Sequence, residues 1–361
     1  YILMCGTGFG FSVEQEEVDK LPVIPEINSG QALKKVIIED SKRGWADSVK
    51  TLMQNLYDGQ NVHFDYSEIR LEGARLKTMG GRASGPQPLV KLHDFIRETM
   101  HNAQGRQLTS LEAHDICNQI AEIVVVGGVR RSSQISLSDL HDTDMRHAKE
   151  WPYPIKRAMA NNSAIYREKP SAAEFLKEWA ALALSGTGER GIFNLEAAQN
   201  KAPSRRYAPL IQGTNPCGEI MLRDMEFCNL SEVVIRADDD LDSLLDKVET
   251  ATWLGVIQSS FTHFPYLRES WKKNCDKECL LGVSLTGQMD NPSILSSEAL
   301  KALKSRVIRI SRKASGILGT KMPTATTCVK PSGTVSQLVD SASGVHPRYS
   351  QYYIRRYRIS A

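Results

Sequence analysis

Short apolar runs that alternate with helical patterns constrain the fold of this chain more than any other feature. The runs "AEIVVVGG", "SSQISLS" and "CLLGVSLTG" are rich in β-branched or aliphatic residues, which is typical of buried strands. Between them apolar residues recur at helical spacing, which predicts helices over residues 90–103, 110–120, 172–184, 241–262 and 297–318 and in "DSKRGWADSVKTLMQNLYDG". Strands alternating with helices indicate an α/β fold with much parallel sheet.

Size and composition exclude several classes of protein. One α/β barrel can use most of 361 residues, so we expect a single domain. The net charge of +3 is too small to indicate nucleic-acid binding. No apolar run approaches the roughly 20 residues that span a bilayer, and seven scattered cysteines fit a reducing compartment. We therefore expect a cytoplasmic protein without membrane or nucleic-acid partners, and the abrupt ends suggest part of a longer chain.

The stretch "TNPCGEIMLRDMEFCNL" holds the strongest candidate for chemistry. Pro216 and Gly218 predict that Cys217 sits at the tip of a rigid loop, although a free cysteine is more commonly a buried structural residue. Asn215 and Glu219 lie two residues to either side, and alternate residues of an extended loop point the same way. A thiol, a general base and a hydrogen-bonding amide would then meet one small substrate, shielded from water.

Cys228, eleven residues after Cys217, offers a second thiol. Two thiols that face one pocket can donate two electrons by forming a disulfide. Zinc is the competing interpretation, but ligands at finger or ribbon spacing are missing, and Cys275 and Cys279 form only a CxxxC pair on a predicted helix. We therefore expect no metal bound by these side chains.

Two further loops suggest ligand binding. In "KPSGTVSQL" a strand ends and a helix begins at Pro-Ser-Gly-Thr, where amides and hydroxyls suit a phosphate or simply cap the helix. In "VVGGVRRSSQ" paired arginines follow a predicted strand, and the carboxyl ends of strands are where ligands bind in α/β sheets, although such arginines are mostly solvated. The loop "CGTGFGF" lacks the spacing and the acidic residue of a dinucleotide site.

Together these motifs resemble the catalytic chain of ribonucleotide reductases, in particular the monomeric, adenosylcobalamin-dependent class II enzymes. The resemblance runs through "GTGFGFSV", "GARLKTMGGRASGPQPL", "GGVRRSSQISL", "ANNSAIY", "GERGIFNL", "TNPCGEI" and "VKPSGTVSQL" to "SGVHPRYSQYYIRR". It implies a ten-stranded α/β barrel with a central finger loop, to which residues 1–361 would contribute one partial domain. Residues 14–66 resemble the insertion that replaces a dimer partner at the effector site.

The resemblance implies radical chemistry on a ribonucleoside di- or triphosphate. Cys217 would become a thiyl radical that removes the 3′-hydrogen, after cobalt–carbon homolysis gives a deoxyadenosyl radical. Glu219 would take the 3′-hydroxyl proton and Asn215 would hold the ribose hydroxyls. Cys228 would be one of the two thiols that reduce the 2′ position, and a thioredoxin-like protein or a dithiol would restore them.

The resemblance also implies four binding segments. The backbone near Ser12 would close over the ribose. The substrate phosphates would meet Pro331, Ser332, Gly333, Thr334 and Val335. The loop of Gly127, Gly128, Val129, Arg130, Arg131, Ser132 and Ser133 would report a bound deoxynucleotide effector to the substrate. Adenosylcobalamin would lie near Gly344, Val345 and His346.

Two alternatives stay open, and one departure matters. The chain could be a class I subunit that receives its radical from a partner, or a non-catalytic nucleotide-binding relative. In the family the second reducing thiol lies upstream of the glycine loop, and Cys5 is too close to that loop to replace it. Because that thiol and the regenerating tail cysteines are not in this sequence, we expect the 361-residue polypeptide not to sustain multiple turnovers.

Overall fold

The computed structural model describes residues 1–28, 32–76, 81–126 and 133–354. The chain divides into two compact units, Tyr1–Glu196 and Ala197–Ala361, which are described separately below. The expected α/β class is confirmed, since long-range strand pairing is parallel and helices connect the strands. The single barrel domain over residues 1–361 stays a prediction.

A parallel four-stranded sheet organises the first unit. Its strands lie in the order β1-β4-β5-β6, and every neighbouring pair is parallel. A separate parallel pair, β2 and β3, lies between β1 and β4 in sequence. The strands of the first unit are β1 (Phe9–Ser12), β2 (Ala32–Ile37), β3 (Asn61–Asp65), β4 (Gln134–Asp139), β5 (Ala160–Tyr166) and β6 (Gly191–Asn194).

Helices bury the largest apolar cluster of the first unit. They are α1 (Gln15–Val18), α2 (Lys42–Tyr57), α3 (Gln87–Asn102), α4 (Ser110–Val126), α5 (Thr143–Arg146) and α6 (Ala172–Leu184). Leu52 and Leu56 of α2 pack with Leu92 and Ile96 of α3, all fully buried, as the helical spacing predicts. Helix α6 begins with a capping box, in which Ser171 and Glu174 satisfy each other's backbone N–H groups.

The second unit is built around two parallel strands covered by two long helices. Valines of the strands pack against Leu244 and Val248 of one helix and Leu303 and Val307 of the other. After α7 (Leu195–Asn200), which spans the boundary in sequence, its elements are β7 (Gly213–Thr214), β8 (Met221–Leu222), β9 (Asn229–Val234), α8 (Leu241–Ser259), α9 (Glu269–Glu278), β10 (Leu281–Thr286), α10 (Ser297–Leu318) and α11 (Thr334–Leu338).

Most predicted elements are confirmed, but one is wrong. Helices α6 and α10 have the predicted bounds, and "SSQISLS" and "CLLGVSLTG" contain β4 and β10. The run "AEIVVV", however, continues α4 to Val126 instead of forming a strand. Its alanine and aliphatic side chains suit a buried helix as well as a strand, and periodicity cannot separate the two in so short a run. Among the described helices, none is long and apolar enough to cross a bilayer.

Candidate active site

A tight hairpin carries the central motif. Strands β7 and β8 pair antiparallel, and residues 215–220 form the turn between them. The backbone N–H of Asn215 donates to Ile220 O at 3.1 Å, and that of Gly218 donates to Asn215 O at 3.0 Å. Gly218 has φ +82°, a left-handed conformation that glycine adopts without strain. The predicted rigid tip around Cys217 is thus confirmed.

The side chain of Asn215 closes this tip. Its Oδ1 accepts a hydrogen bond from the backbone N–H of Ile220 at 3.0 Å, while Thr214 Oγ1 donates to Ile220 O at 2.9 Å. Asn215 is buried, so these bonds form away from bulk water. The amide nitrogen, a hydrogen-bond donor, is the part of the side chain left for a ligand.

Cys217 lies at the tip itself and is exposed. The expectation that this sulfur is shielded from water is therefore wrong for the described chain, because the turn projects the thiol outward. A Cβ placed on the adjacent Gly218 would meet nothing within 4 Å, which agrees with open space there. Enough protein still surrounds the sulfur for desolvation to raise its pKa, an effect that the charge of Lys330 opposes and that of Glu219 strengthens.

Glu219 is the buried charge of the hairpin. Its side chain is only 1 % exposed, and its Oε1 lies 2.7 Å from Nζ of Lys330. Its other oxygen, Oε2, is buried and has no hydrogen-bond partner in the described structure. This buried oxygen can accept one further hydrogen bond.

The charge of Glu219 also acts on the thiols of Cys228 and Cys328. Cys228 lies just before β9, where burial and then the charge of Glu219 raise its pKa to about 12. The pKa of Cys328 is also raised to about 12, first by burial and then by the charges of Glu219 and Cys228. Both are therefore protonated thiols near neutral pH, the state in which a dithiol can donate two electrons and two protons.

Gly282 leaves space that Ile220 of the hairpin and the thiol of Cys328 occupy. It sits in β10 opposite Leu230 of β9. A Cβ on Gly282 would lie 2.6 Å from side-chain carbons of Ile220 and Leu230 and 3.0 Å from Sγ of Cys328. The missing side chain thus lets the hairpin residue Ile220 and the thiol of Cys328 pack on the same face of the strand.

A buried charge network fixes the segment that leads to Cys228. Arg206 donates to Glu278 Oε2 at 2.7 Å, to Glu226 Oε2 at 3.1 Å and to Met221 O at 2.8 Å. Burial raises the pKa of Glu226 to about 8, the charge of Glu278 adds to this, and Arg206 opposes both. Nearby, the buried Cys275 accepts a hydrogen bond from the backbone N–H of Phe227 at 3.4 Å, a structural role that fits the interpretation of the CxxxC pair as incidental.

The predicted phosphate segment lies at the start of α11. Ser332 is buried, and its Oγ accepts from the backbone N–H of Ser336 at 3.2 Å, so this hydroxyl has the capping role that was the alternative to phosphate binding. The other four predicted residues, Pro331, Gly333, Thr334 and Val335, are exposed. A ligand could therefore meet these four directly, and Ser332 only through its support of the turn.

The predicted cofactor segment, residues 344–346, begins with a turn that packs against the backbone of Lys330. Gly344 has φ +56°, and a Cβ on it would lie 2.6 Å from the carbonyl oxygen of Lys330. Val345 and His346 are exposed and do not line the cavity of about 430 Å³ nearby, although their sequence neighbours Ser343 and Pro347 do. An exposed apolar side chain and an imidazole beside a cavity fit contact with the periphery of a large amphipathic group such as adenosylcobalamin.

Two predicted segments belong to the first unit. Ser12 ends β1, and its hydroxyl donates to Oε2 of Glu14 at 2.9 Å. Arg167 donates to the other carboxylate oxygen of Glu14, Oε1, at 2.7 Å. The effector loop from Gly127 to Ser132 lies outside the described residues. Ser133 is described, and its carbonyl accepts from Phe9 N at 3.0 Å. Because α4 precedes this loop, it leads into the amino end of β4 rather than following a strand, which corrects our placement.

Sequence reasoning missed Lys330 and Cys328. Thr327 pairs in parallel with Val283, so residues 327–330 run as an extended segment beside β10. Residues 328 and 330 then point to the same side, towards Glu219. The sequence predicts a strand before Pro331. Because side chains alternate along a strand, that prediction was a signal that could have placed Cys328 and Lys330 on the same side.

Comparison with family models gives two matches. The insertion domain of B12-dependent ribonucleotide reductases matches residues 14–100, and the ribonucleotide reductase barrel domain matches residues 128–274. Among curated proteins, the adenosylcobalamin-dependent ribonucleoside-triphosphate reductase of Levilactobacillus brevis is 28% identical over 99% of this chain and 56% of its own length. That of Lactobacillus acidophilus is 31% identical over 90% of this chain and 48% of its own length. The chain thus spans about half the length of these relatives.

Solved structures agree. A crystal structure of a B12-dependent, class II ribonucleotide reductase matches with a TM-score of 0.81 and 25% identity, over 96% of this chain and 57% of that one. The alpha subunit of the class Id reductase of Actinobacillus ureae matches with a TM-score of 0.54 and 16% identity, over 88% and 62%, and supports the fold alone. The expected α/β barrel fold is thereby confirmed, and over most of its length the chain is similar to B12-dependent, class II ribonucleotide reductases.

Proposed function

We propose that this chain carries the radical-bearing part of an enzyme that reduces ribonucleoside triphosphates to 2′-deoxyribonucleotides. The observation that carries the proposal is the hairpin tip, which holds Asn215, Cys217 and Glu219 on one turn and from which the charge of Glu219 acts on both Cys217 and Cys228. The relatives are named as triphosphate reductases, which favours triphosphate over diphosphate as the substrate.

Each group of the tip has a role that its chemistry supports. The thiol of Cys217 carries the radical that abstracts the ribose 3′-hydrogen, and Glu219 accepts the 3′-hydroxyl proton on its unpartnered Oε2. The amide nitrogen of Asn215 donates to a ribose hydroxyl. Cys228, protonated at neutral pH, supplies one proton and one electron for reduction at the 2′ position, a second thiol supplies the other proton and electron, the two sulfurs form a disulfide, and the 2′-hydroxyl leaves as water.

The binding segments complete the proposal. Adenosylcobalamin, held in part by Gly344, Val345 and His346, supplies the one-electron oxidation that the protein's own side chains cannot perform. The exposed residues of the segment 331–335 contact the triphosphate, and the backbone at Ser12 contacts the ribose. Residues 127–133 act as the effector loop, residues 14–66 as the effector-site insertion of a monomer, and a thioredoxin-like protein or dithiol as reductant.

The test uses the full-length protein that contains this chain. With adenosylcobalamin, a ribonucleoside triphosphate and a dithiol, and with no second subunit, it is expected to form deoxynucleotide, whereas Cys217→Ser is expected to lose activity by at least about 1,000-fold. Cys279→Ser, a buried cysteine at the end of α9, is the matched control and is expected to stay active.

Two outcomes would contradict the proposal. Activity that requires a separate radical-generating subunit would favour the class I alternative. A Cys217→Ser variant with full activity would remove the radical role of the hairpin and favour a nucleotide-binding relative.

A further inference from the structure

The contact between Lys330 and Glu219 joins two distant parts of the second unit. Nζ of Lys330 lies 2.7 Å from Oε1 of Glu219, although 111 residues separate them in sequence. The Glu219 side chain is 1 % exposed and that of Lys330 is 29 % exposed. An ion pair this protected from water is held much more firmly than a surface pair, and removal of one partner leaves an uncompensated buried charge.

The backbone of Lys330 is fixed on both sides of its peptide unit. Its N–H donates to Oγ of Ser284 in β10 at 2.8 Å. Its carbonyl oxygen lies only 2.6 Å from where a Cβ on Gly344 would be, so the glycine turn packs directly on it. Two residues earlier, the N–H of Cys328 donates to Val283 O at 3.1 Å. The lysine therefore projects from a rigid segment rather than from a mobile loop.

The two carboxylate oxygens of Glu219 differ in their surroundings. Oε2 is buried without a hydrogen-bond partner in the described structure, whereas Oε1 is engaged by Lys330. A buried carboxylate oxygen without a protein partner is costly, and a water, an ion or a ligand usually completes it. The ammonium therefore divides the carboxylate into an anchored oxygen and an available one.

We propose that Lys330 is a positioning residue of this site, which anchors Glu219 through Oε1 so that Oε2 stays available for the proton of a substrate hydroxyl. This inference rests on the proposed reductase function and deepens it. In the step itself the proton moves from the hydroxyl oxygen to Oε2, and Lys330 keeps all three of its protons. Its role is to hold and electrostatically balance the carboxylate.

The electrostatics of the site agree with this role. Burial disfavours the charge on Lys330, but the hydrogen bond and charge of Glu219 outweigh burial, so the pKa of Lys330 is raised. The cation also lowers the pKa of Cys217 against the effects of desolvation and of Glu219. Loss of the lysine charge should therefore be visible at the neighbouring thiol without any turnover.

The first measurement is the pH profile of Cys217 alkylation by iodoacetamide in the 361-residue chain, followed by peptide mass spectrometry. Lys330→Met is expected to slow alkylation at pH 8 by about threefold or more, since one pKa unit changes the thiolate fraction about tenfold. Lys330→Arg keeps a cation and is expected to stay within about twofold of the wild type. Lys247→Met, which removes the similar pair with Asp239 at 2.6 Å, is the matched control and should leave the profile unchanged.

The second measurement is steady-state kinetics in the full-length enzyme. Lys330→Met is expected to lower kcat by about tenfold or more with KM changed less than about threefold, and Lys330→Arg to restore most of it. A merely structural lysine would lower stability without moving the Cys217 profile. An unchanged profile in Lys330→Met overturns the proposal, and so does an unchanged kcat.

Two further arms keep the inference decidable. If Lys330→Met fails to fold, Glu219→Gln in the same alkylation assay takes its place and is expected to speed the reaction of Cys217, because the carboxylate raises that pKa. A slower or unchanged alkylation rate in Glu219→Gln would contradict the proposed action of the Lys330–Glu219 ion pair on Cys217. If the wild-type enzyme makes no deoxynucleotide, the reductase function fails, while the alkylation profile still reports on Lys330 by itself.

Discussion

Oδ1 of Asn215 accepts a hydrogen bond from the backbone N–H of Ile220 at 3.0 Å, across the tip that presents Cys217. A residue proposed to bind substrate is therefore also a structural closure of the hairpin. Its oxygen serves the fold and its nitrogen is left for a ligand. Any variant of Asn215 will mix these two effects, and experiments have to separate them.

Asn215→Ala is expected to destabilise the second unit. The change leaves the buried N–H of Ile220 without its acceptor, which costs on the order of 1–3 kcal/mol in the free energy of unfolding. Urea unfolding measures this cost. The control is Gln212→Ala on the adjacent exposed position, where the lost bond to Pro209 O should cost less than about 0.5 kcal/mol. Equal losses in the two variants would show that the bond to Ile220 does not close the tip.

Gly282→Ala is expected to disturb the packing beneath the hairpin. The new methyl group would lie 2.6 Å from carbons of Ile220 and Leu230, so these side chains or the strand must move. Overpacking of this kind costs about 1–3 kcal/mol, measured as a lower midpoint of chemical unfolding. Gly316→Ala in α10 is the matched control, because a Cβ there meets nothing within 4 Å and should stabilise the helix by about 0.5–1 kcal/mol. A Gly282→Ala variant as stable as the wild type would mean that the face is loosely packed.

The sequence predicted most of the fold, because local patterns decide it. Helix α10 has the predicted bounds, since Ser296 caps its start and Gly319 ends it in a left-handed conformation. The run ending at Val126 was predicted as a strand because aliphatic residues suit both states, and packing within the unit decided for a helix. Local composition could not supply that information.

The candidate site was predictable where its residues are close in sequence. Proline and glycine place Asn215, Cys217 and Glu219 on one turn, as in the structure, but this turn is tight rather than extended, so the alternation of side chains does not apply to it. The anchoring of Glu219 by Lys330 and the packing of Cys328 beside Gly282 depend on strand pairing across roughly 50 to 110 residues, for which the sequence carries no local signal.

The cysteines of the site are expected to differ in reactivity. Cys217 is exposed, whereas the pKa of Cys228 and that of Cys328 are each raised to about 12, mainly by burial. At pH 8 iodoacetamide should therefore modify Cys217 at least about tenfold faster than the other two, because only the thiolate reacts. Peptide mass spectrometry of a time course gives the rates. In concentrated guanidinium chloride all three should react alike, and a fast Cys228 in the folded chain would contradict its buried, protonated state.

The network around Arg206 is expected to make stability depend on pH. The pKa of Glu226 is raised to about 8 in the folded chain, chiefly by burial, from an ordinary value of 4.5. Between these values the folded state keeps a proton that the unfolded state has released, so the free energy of unfolding should fall as pH rises from about 4.5 to about 8. Glu226→Gln stays neutral throughout and should show a flatter profile in urea unfolding across this range. Arg206→Met, which removes the guanidinium that Glu226 and Glu278 share and leaves only Arg223 at 3.8 Å from Glu278, should cost about 3–5 kcal/mol at pH 8 and less at pH 5, where a proton can replace the guanidinium between the two carboxylates. Parallel profiles for the wild type and Glu226→Gln would show that Glu226 is already ionised in the folded chain.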